Sequence, residues 1–211
     1  MEVMQMKGQR PATDPKAMLG WIVGIFKAVV TTPAAFFQQM PLAGGYTDPL
    51  IFAVVMGVAA GIVRIVLSLL VFSFSKFFML VLGSIILVPI LTGLFTFIAA
   101  AILFAIWQLM GSRKSYEVSF RCAAYALAIS PITAALNFIP YFGILVGLAW
   151  MAYILVSASV EVHGIDARNA WIVFGAVFVI LALGSASMQH STRSIQQRIE
   201  KIKKESAMPI R

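Results

Sequence analysis

Few side chains in this sequence could bind a metal ion or transfer a proton, and most of them lie between apolar segments. Glu161, His163 and Asp166 are close together in one such loop, where carboxylate and imidazole groups could in principle hold a cation. A solvated loop explains the same residues more simply. The second histidine, His190, follows the next apolar segment. The two histidines should therefore lie on opposite faces of a membrane and cannot share a metal in a monomer.

The sequence patterns that usually indicate catalysis are missing. There is no Ser/His/Asp set, no H-E-x-x-H and no phosphate-binding glycine loop. Cys122 is the single cysteine, so no internal disulfide can form, and it has no obvious base nearby. We interpret it as a small packing residue. We predict that the protein is not an enzyme and binds no metal and no cofactor.

One charged residue, Arg64, lies well inside an apolar segment. Intramembrane charge is the usual mark of a transporter. However, the apolar segments offer Arg64 no obvious carboxylate partner and no relay of Asp, Glu and His. Arg64 lies beyond the centre of its segment, so its side chain can extend to the far headgroups or donate to backbone carbonyls. We favour that structural role over a role in transport.

The composition indicates a membrane protein. Of the 211 residues, 61% are hydrophobic and 11% are charged, whereas soluble domains have about 45–50% apolar and about 25% charged residues. The formal net charge is +8, and most bases lie at the two ends and in one short loop. That placement favours anionic lipid headgroups over nucleic acid as the partner. Residues 1–16 have no apolar core, so we expect no secretory signal peptide.

The N-terminal part is predicted to approach the membrane without crossing it. Residues 1–15 are polar, and we expect a disordered arm. Residues 16–30 are apolar but too few for a span, which needs about 20. Thr32 and Pro33 predict the N-cap and first residue of a second short helix, 33–40. The less apolar positions of the first helix recur with the spacing of one helix face: Lys16, Gly20, Gly24, Lys27 and Thr31. We predict that it lies in the headgroup plane, and packing against the spans is the alternative.

Five apolar segments between residues 49 and 188 are long enough to cross a bilayer. The second contains Pro89, which predicts one long kinked span, with a re-entrant hairpin as the alternative. The predicted fold class is all-α, a polytopic integral membrane helix bundle with five transmembrane helices plus an N-terminal interfacial helix in a membrane-proximal region, 16–48. A basic amphipathic tail, 189–211, follows. Asp166 is a plausible N-cap for the fifth span. The spans are predicted at 50–72, 77–110, 120–137, 141–161 and 167–188.

Lysine and arginine near the span ends predict the orientation in the membrane. Five spans put the two termini on opposite sides, and the bases are almost evenly divided between them. The short loop after the second span carries Arg113 and Lys114, whereas the opposite short loop at 137–140, NFIP, carries no charge. Because short loops have the most weight, we predict a cytoplasmic N-terminus. The basic tail is the opposing observation.

Small residues predict close helix packing. GVAAG contains Gly57 and Gly61, and GILVG contains Gly143 and Gly147. Both are G-x-x-x-G pairs, which let helix backbones approach closely. The third span is also rich in alanine. We therefore predict a tightly packed bundle, with Gly143 and Gly147 at a helix contact, and not an open pore.

Between residues 111 and 170 the sequence contains, in order, GSRKSYEVSFRCAAYA, SP, IPYFG, GLAW and EVHGI. The order and spacing of these stretches resemble the Yip domain family, the Ypt/Rab-GTPase-interacting membrane proteins and their bacterial relatives. TTPAAFFQQMP, before the first span, is also similar to the family's membrane-proximal segment. The sequence departs from the family at Ser157 and Ala158, where a glycine is usual. It also lacks the acidic DLYGP-type segment of eukaryotic members, so the resemblance favours the bacterial branch.

The resemblance implies five spans, a cytosolic N-terminus, no known catalysis, and a role in membrane organisation or partner recruitment. The expected location is the bacterial cytoplasmic membrane. The expected partners are anionic lipids and either another membrane protein or a second copy of the chain. A small transporter or channel-like subunit, or an accessory subunit of a larger membrane complex, is the alternative.

Arg121 occupies a family position at the start of the third span. Its guanidinium lies about one turn inside the cytosolic end, where it can extend to lipid phosphate or to the loop that carries Glu117. Glu117 and Arg121 are four residues apart, which favours an ion pair if the helix begins that early. We predict that Arg113, Lys114 and Arg121 contact lipid or a loop.

The tail carries a narrow apolar stripe of the kind that a partner helix buries. The segment is predicted to be a helix that either continues from the fifth span or leaves it to lie on anionic headgroups. A solvated basic tail is the alternative. The stripe residues are spaced by four, three, four and three: Met188, Thr192, Ile195, Ile199 and Ile202.

Overall fold

The structure is a computed structural model that describes residues 14–69, 74–137, 139 and 142–206. These residues form eight α-helices and no strand. The helices are α1 Pro15–Thr31, α2 Pro33–Gln39, α3 Thr47–Leu69, α4 Phe74–Leu109, α5 Tyr116–Ala126, α6 Ser130–Leu136, α7 Phe142–Glu161 and α8 Ala167–Ser206.

Five stretches of this helical structure are long and apolar enough to cross a membrane, which confirms the predicted fold class. The third is built from α5, a short 3-10 turn and α6. Residues 1–13 of the predicted arm lie outside the described residues. The five spans are Thr47–Leu67, Leu87–Leu109, Tyr116–Leu136, Phe142–Glu161 and Ala167–Ser185.

The second span is one helix. α4 continues through Pro89 without interruption over 36 residues, so the re-entrant hairpin does not form. Proline removes one backbone donor from a helix, but the helix continues on both sides of it. α4 packs mainly against α3 and α5.

The third span lies at the centre of the bundle and is interrupted halfway. The 3-10 turn Leu127–Ile129 precedes Pro131. In an α-helix the nitrogen of Pro131 would donate to the carbonyl of Leu127, but proline has no N–H. The N–H of Ser130 donates to that carbonyl instead, which tightens the turn. The span begins at Tyr116, earlier than predicted, and 67% of its most apolar stretch is buried, against 11% for the second and fifth spans.

The first two helices pack against the spans. α1 contacts α5 and the 3-10 turn, and α2 packs against α7. One face of α1, which includes Ile22, Ile25 and Val29, is buried, while Leu19 is 62% exposed. This face of α1 is therefore covered by protein, as the alternative for this segment supposed, and the remaining side chains of the helix are free to contact headgroups.

The start of α2 differs in one detail from the prediction. Thr32 is the N-cap residue and Pro33 is the first helical residue, as predicted, but Thr32 makes no capping hydrogen bond. Its hydroxyl donates to the carbonyl of Ala28, four residues earlier in α1, at 3.2 Å. This back-bonding is a common alternative for threonine after a helix.

The last helix continues far beyond its span. α8 runs for 40 residues from Ala167 to Ser206, so the tail continues the fifth span and does not lie on the headgroups. Asp166 caps it as predicted, because its Oδ1 accepts from the N–H groups of Arg168 at 2.9 Å and Asn169 at 3.3 Å. α8 packs mainly against α7.

Candidate functional site

Two buried aromatic rings and two serines connect the end of α4 to the end of α7. The indole Nε1 of Trp107 donates to the hydroxyl of Ser159 at 2.8 Å. The Nδ1 of His163 lies 2.8 Å from the hydroxyl oxygen of Ser112. The rings of Trp107 and His163 stack, with their centroids 3.9 Å apart and their planes 21° apart. We call these four residues the tryptophan–histidine cluster.

Two glycine turns bring these side chains together. Gly111 ends α4 with a φ of 93°, in the left-handed region that glycine enters without strain. The N–H of Gly111 donates to Gln108 and that of Ser112 donates to Trp107, which is the hydrogen-bond pattern of a Schellman cap. Gly164, with a φ of 65°, turns the chain just after His163. The short turns therefore hold Ser112 and His163 against the end of α4.

His163 does not lie in a solvated loop, as the sequence suggested. Its side chain is only 7% exposed, because it lies against the indole of Trp107. Burial, together with the nearby charge of Lys114, lowers the pKa of His163 to about 4. The imidazole is therefore neutral at pH 7, and its Nε2 is buried with no hydrogen-bond partner in the described part of the chain.

The neighbouring carboxylates do not complete a metal site. Glu161 and Asp166 are both exposed, and Asp166 caps α8. Among the described residues, no three His, Cys, Asp or Glu side chains lie close enough to hold a metal ion. Cys122 is fully buried in the third span, where it packs among apolar side chains. The tryptophan–histidine cluster thus connects two helices and a loop.

A second polar contact attaches the loop before the first span to α5. The carboxylate of Glu117 accepts the N–H of Gly45 at 2.7 Å. The guanidinium of Arg121 donates to the carbonyl of the same glycine at 2.9 Å. We call this arrangement the Gly45 clamp. Its two side chains are on one face of α5, one turn apart, and so bind the N–H and the carbonyl of the same residue.

The backbone of this loop requires glycine. Gly44 and Gly45 have φ values of 129° and 78°, which side-chain-bearing residues rarely adopt. A Cβ on Gly44 would also lie 3.5 Å from a guanidinium nitrogen of Arg121. Tyr46 follows and packs edge-on against Phe120, with the ring centroids 5.1 Å apart. Two adjacent glycines before a span were the sequence feature that could have indicated this contact.

Arg121 makes a loop contact, but the loop is not the predicted one. It binds the loop before the first span, and its side chain is only 4% exposed. Its Nε is buried without a hydrogen-bond partner in the described residues. Of the other two bases predicted to contact lipid or a loop, Arg113 is exposed and Lys114 is partly buried. The exposed Arg113 is therefore the one whose side chain is free to meet headgroups.

The four predicted packing glycines differ in their surroundings. A Cβ on Gly57 would collide with the side chain of Thr92 in α4. A Cβ on Gly147 would collide with that of Thr133 in α6, and one on Gly143 with the backbone of Leu136 and Asn137. A Cβ on Gly61 would be 3.8 Å from its nearest neighbour, an ordinary contact. Three of the four glycines therefore lie where a neighbouring chain segment approaches closely.

The remaining predicted residues whose side chains are described lie on outward surfaces. Arg64 is exposed near the end of α3. In α8, Ile195 is 57% exposed and Ile199 is 47% exposed. Ile202 lies in the same helix, and its side chain is outside the described part. The structure therefore does not bring the tail or Arg64 to the two buried polar contacts.

Comparison with known families gives one match that covers most of the chain. A family model described as the Yip1 domain matches residues 27–188. Comparison with curated proteins and with solved structures gives no significant match. The matched range contains all five spans, the Gly45 clamp and the tryptophan–histidine cluster, and it is more than three quarters of the 211-residue chain. The chain belongs to the Yip1 domain family.

Proposed function

We propose that this is a non-enzymatic integral membrane protein of Yip type that organises the membrane or recruits a partner to it. The main supporting observation is that the enclosed polar side chains bind other parts of the same chain. The glutamate and arginine of the Gly45 clamp, and the indole and imidazole of the tryptophan–histidine cluster, bind backbone or hydroxyl groups of other helices and loops. These groups are used to hold the bundle together, which suits a scaffold.

The enclosed third span supports the same proposal. α5 contacts α1, α3, α4 and α7, and its residues from Val118 to Ala126 are all buried. Close glycine contacts join α3 to α4 and α6 to α7. A bundle whose central helix is surrounded by side chains is more typical of a structural unit than of a pore.

The proposal also includes the orientation of the protein in the membrane. We place the N-terminus in the cytoplasm and the protein in the bacterial cytoplasmic membrane. The loop with Arg113 and Lys114 would then face the cytoplasm, where anionic headgroups attract exposed bases. Arg113 is exposed at that loop and is suited to such a contact. The extended end of α8 would lie on the opposite side.

Purification from native membranes tests the proposed recruitment. The full-length protein, tagged and expressed at its natural level, would be isolated in a mild detergent next to an unrelated five-span protein at the same abundance. We expect at least one membrane protein or lipid class to be recovered in constant ratio with this chain alone. If the recovered proteins and lipids match those of the control in repeated preparations, the recruitment function is refuted.

A further inference from the structure

The extension of α8 beyond the membrane presents an exposed apolar surface. The tail stripe, defined as Met188, Thr192, Ile195, Ile199 and Ile202, lies on one continuous helix. Ile195 and Ile199 are 57% and 47% exposed, so the described helices of this chain do not cover them. Isolated exposed isoleucines are common, but a stripe with alternating spacing of four and three is typical of a surface that another helix covers.

The helix geometry argues against a lipid surface as the occupant. The fifth span ends at Ser185 and the helix continues to Ser206. At 1.5 Å per residue, these 21 residues extend by about 30 Å. Because the helix crosses the bilayer and continues without a break, it leads the stripe away from the headgroups. An amphipathic helix that binds lipid must instead lie in the plane of the interface.

The charges beside the stripe argue against a second copy of the chain. Two copies in one membrane have the same orientation, so their tails would pair in parallel. In the heptad register of the stripe, Ile199 takes an a position, Arg198 a g position and Lys203 an e position. A parallel pair places each g residue opposite the e residue of the partner's next heptad. Arg198 of each copy would therefore lie opposite Lys203 of the other copy, and the like charges would repel.

The same charges suit an acidic partner. The segment 186–206 contains five bases, Arg193, Arg198, Lys201, Lys203 and Lys204, and only two acids, Glu200 and Glu205. In the register given above, Arg198 and Lys203 are the bases that border the stripe, and the other three lie farther from it. A helix with glutamate or aspartate opposite Arg198 and Lys203 would pair with these two bases, and its apolar a and d residues would cover the isoleucines.

We propose that the tail stripe docks an α-helix of a different protein, one with apolar a and d positions and acidic flanking positions. This inference rests on the proposed function of partner recruitment, for which it specifies the surface and the chemistry of the partner. The docked helix lies outside the membrane, on the side where α8 ends, and runs along residues 188–202.

Photo-crosslinking in native membranes tests the occupant directly. A benzophenone amino acid would be placed in the full-length chain at position 195, in the stripe, or at position 197, which the helical register puts on the opposite side. We expect position 195 to cross-link a different protein about tenfold more than position 197, because only position 195 would face the docked helix. A product with the mass of two copies of this chain, a lipid product, or equal yields at both positions would overturn the inference.

The identity of the cross-linked segment and its response to charge complete the test. Mass spectrometry of the product should locate the cross-link in a segment with heptad apolar spacing and acidic flanks. The double change Arg198→Glu and Lys203→Glu should lower the yield at position 195 severalfold. A basic or non-periodic segment, or a yield that does not respond to the charge reversal, contradicts an acidic helix as the partner.

A pair of matched variants separates this inference from the proposed function. Ile195→Glu and Gln197→Glu each add one negative charge to the tail, but only the first is in the stripe. Purification from native membranes should lose the partner with Ile195→Glu and keep it with Gln197→Glu, while both variants keep the thermal stability of the bundle. Recovery of the same partner with both variants would leave recruitment intact and refute the tail stripe. Absence of any partner with the unmodified chain would refute recruitment itself.

Discussion

Acidification should destabilise the folded protein through His163. In the folded state, burial against Trp107 and, to a smaller extent, the charge of Lys114 lower the pKa of His163 from 6.5 to about 4. In the unfolded state the imidazole has its ordinary pKa of about 6.5. The folded state therefore binds fewer protons than the unfolded state between these two values. Stability from this group is fully present above pH 6.5 and is lost as the pH falls to about 4.

The magnitude follows from the size of the shift. Each pKa unit corresponds to about 1.36 kcal/mol, so the change from 6.5 to about 4 corresponds to a loss on the order of 3 kcal/mol. Below about pH 4 both states are protonated, and this group should cause no further loss. The loss is large beside the total stability of a typical domain, about 5–15 kcal/mol.

The assay uses the fact that the chain has only two histidines. In a His190→Gln background, the carbon NMR signal of isotope-labelled histidine reports His163 alone, in detergent micelles from pH 7.5 to pH 3.5. We expect a midpoint well below 6, and Lys114→Gln should raise it because a nearby positive charge is removed. His163→Phe keeps an aromatic ring on Trp107 but does not titrate. Its thermal stability should therefore depend less on pH between 6.5 and 4 than that of the parent.

Two results would refute this reasoning. A midpoint near 6.5 would show that the ring is solvated in the folded protein. An equal pH dependence of stability in the parent and in His163→Phe would show that other groups cause the acid sensitivity. The parent and His163→Phe are compared by how steeply their thermal stability changes with pH. A lower stability of His163→Phe at neutral pH therefore does not affect the conclusion.

Three further predictions concern packing, topology and charge. Gly143→Ala should lower stability in detergent by about 1–3 kcal/mol, because the added Cβ meets backbone atoms. Gly61→Ala is the control, since its Cβ has room. Equal thermal stability of the two variants would count against a close backbone approach at Gly143. Maleimide labelling of Gln5→Cys and Glu205→Cys in sealed vesicles should occur from opposite faces, and labelling from one face would contradict five spans. Arg64→Ala should leave solute and ion flux in proteoliposomes unchanged, and flux that this variant abolishes would favour a transporter.

The sequence predicted the spans well because they depend on local properties. Each apolar segment is long enough to cross a bilayer, and its length can be read without knowing its neighbours. The N-cap at Asp166 was equally local, since the acceptor and its donors are two and three residues apart. The 3-10 turn was also local, because it follows from the missing N–H of Pro131, although we did not predict it.

The polar contacts could not be predicted because their partners are far apart in the chain. His163 and Ser112 are separated by 51 residues, and Arg121 and Gly45 by 76. Periodicity in one sequence reports which face of a helix is apolar, but it does not report which loop lies against that face. The sequence therefore indicated a solvated loop for His163, and for Arg121 a contact with lipid phosphate or with the loop that carries Glu117.

The position of the third span explains why it is the least apolar of the five. The second and fifth spans are only 11% buried within the chain, whereas the third is 67% buried and has the lowest mean hydropathy. A polar side chain costs less in a membrane when it faces protein groups to which it can hydrogen-bond than when it faces lipid. Arg121, whose guanidinium donates to the carbonyl of Gly45, is therefore tolerated at the centre of the bundle. Because these polar groups are enclosed, the partner recruitment that we propose would use the outer surfaces, and the extension of α8 is one described surface that continues beyond its span.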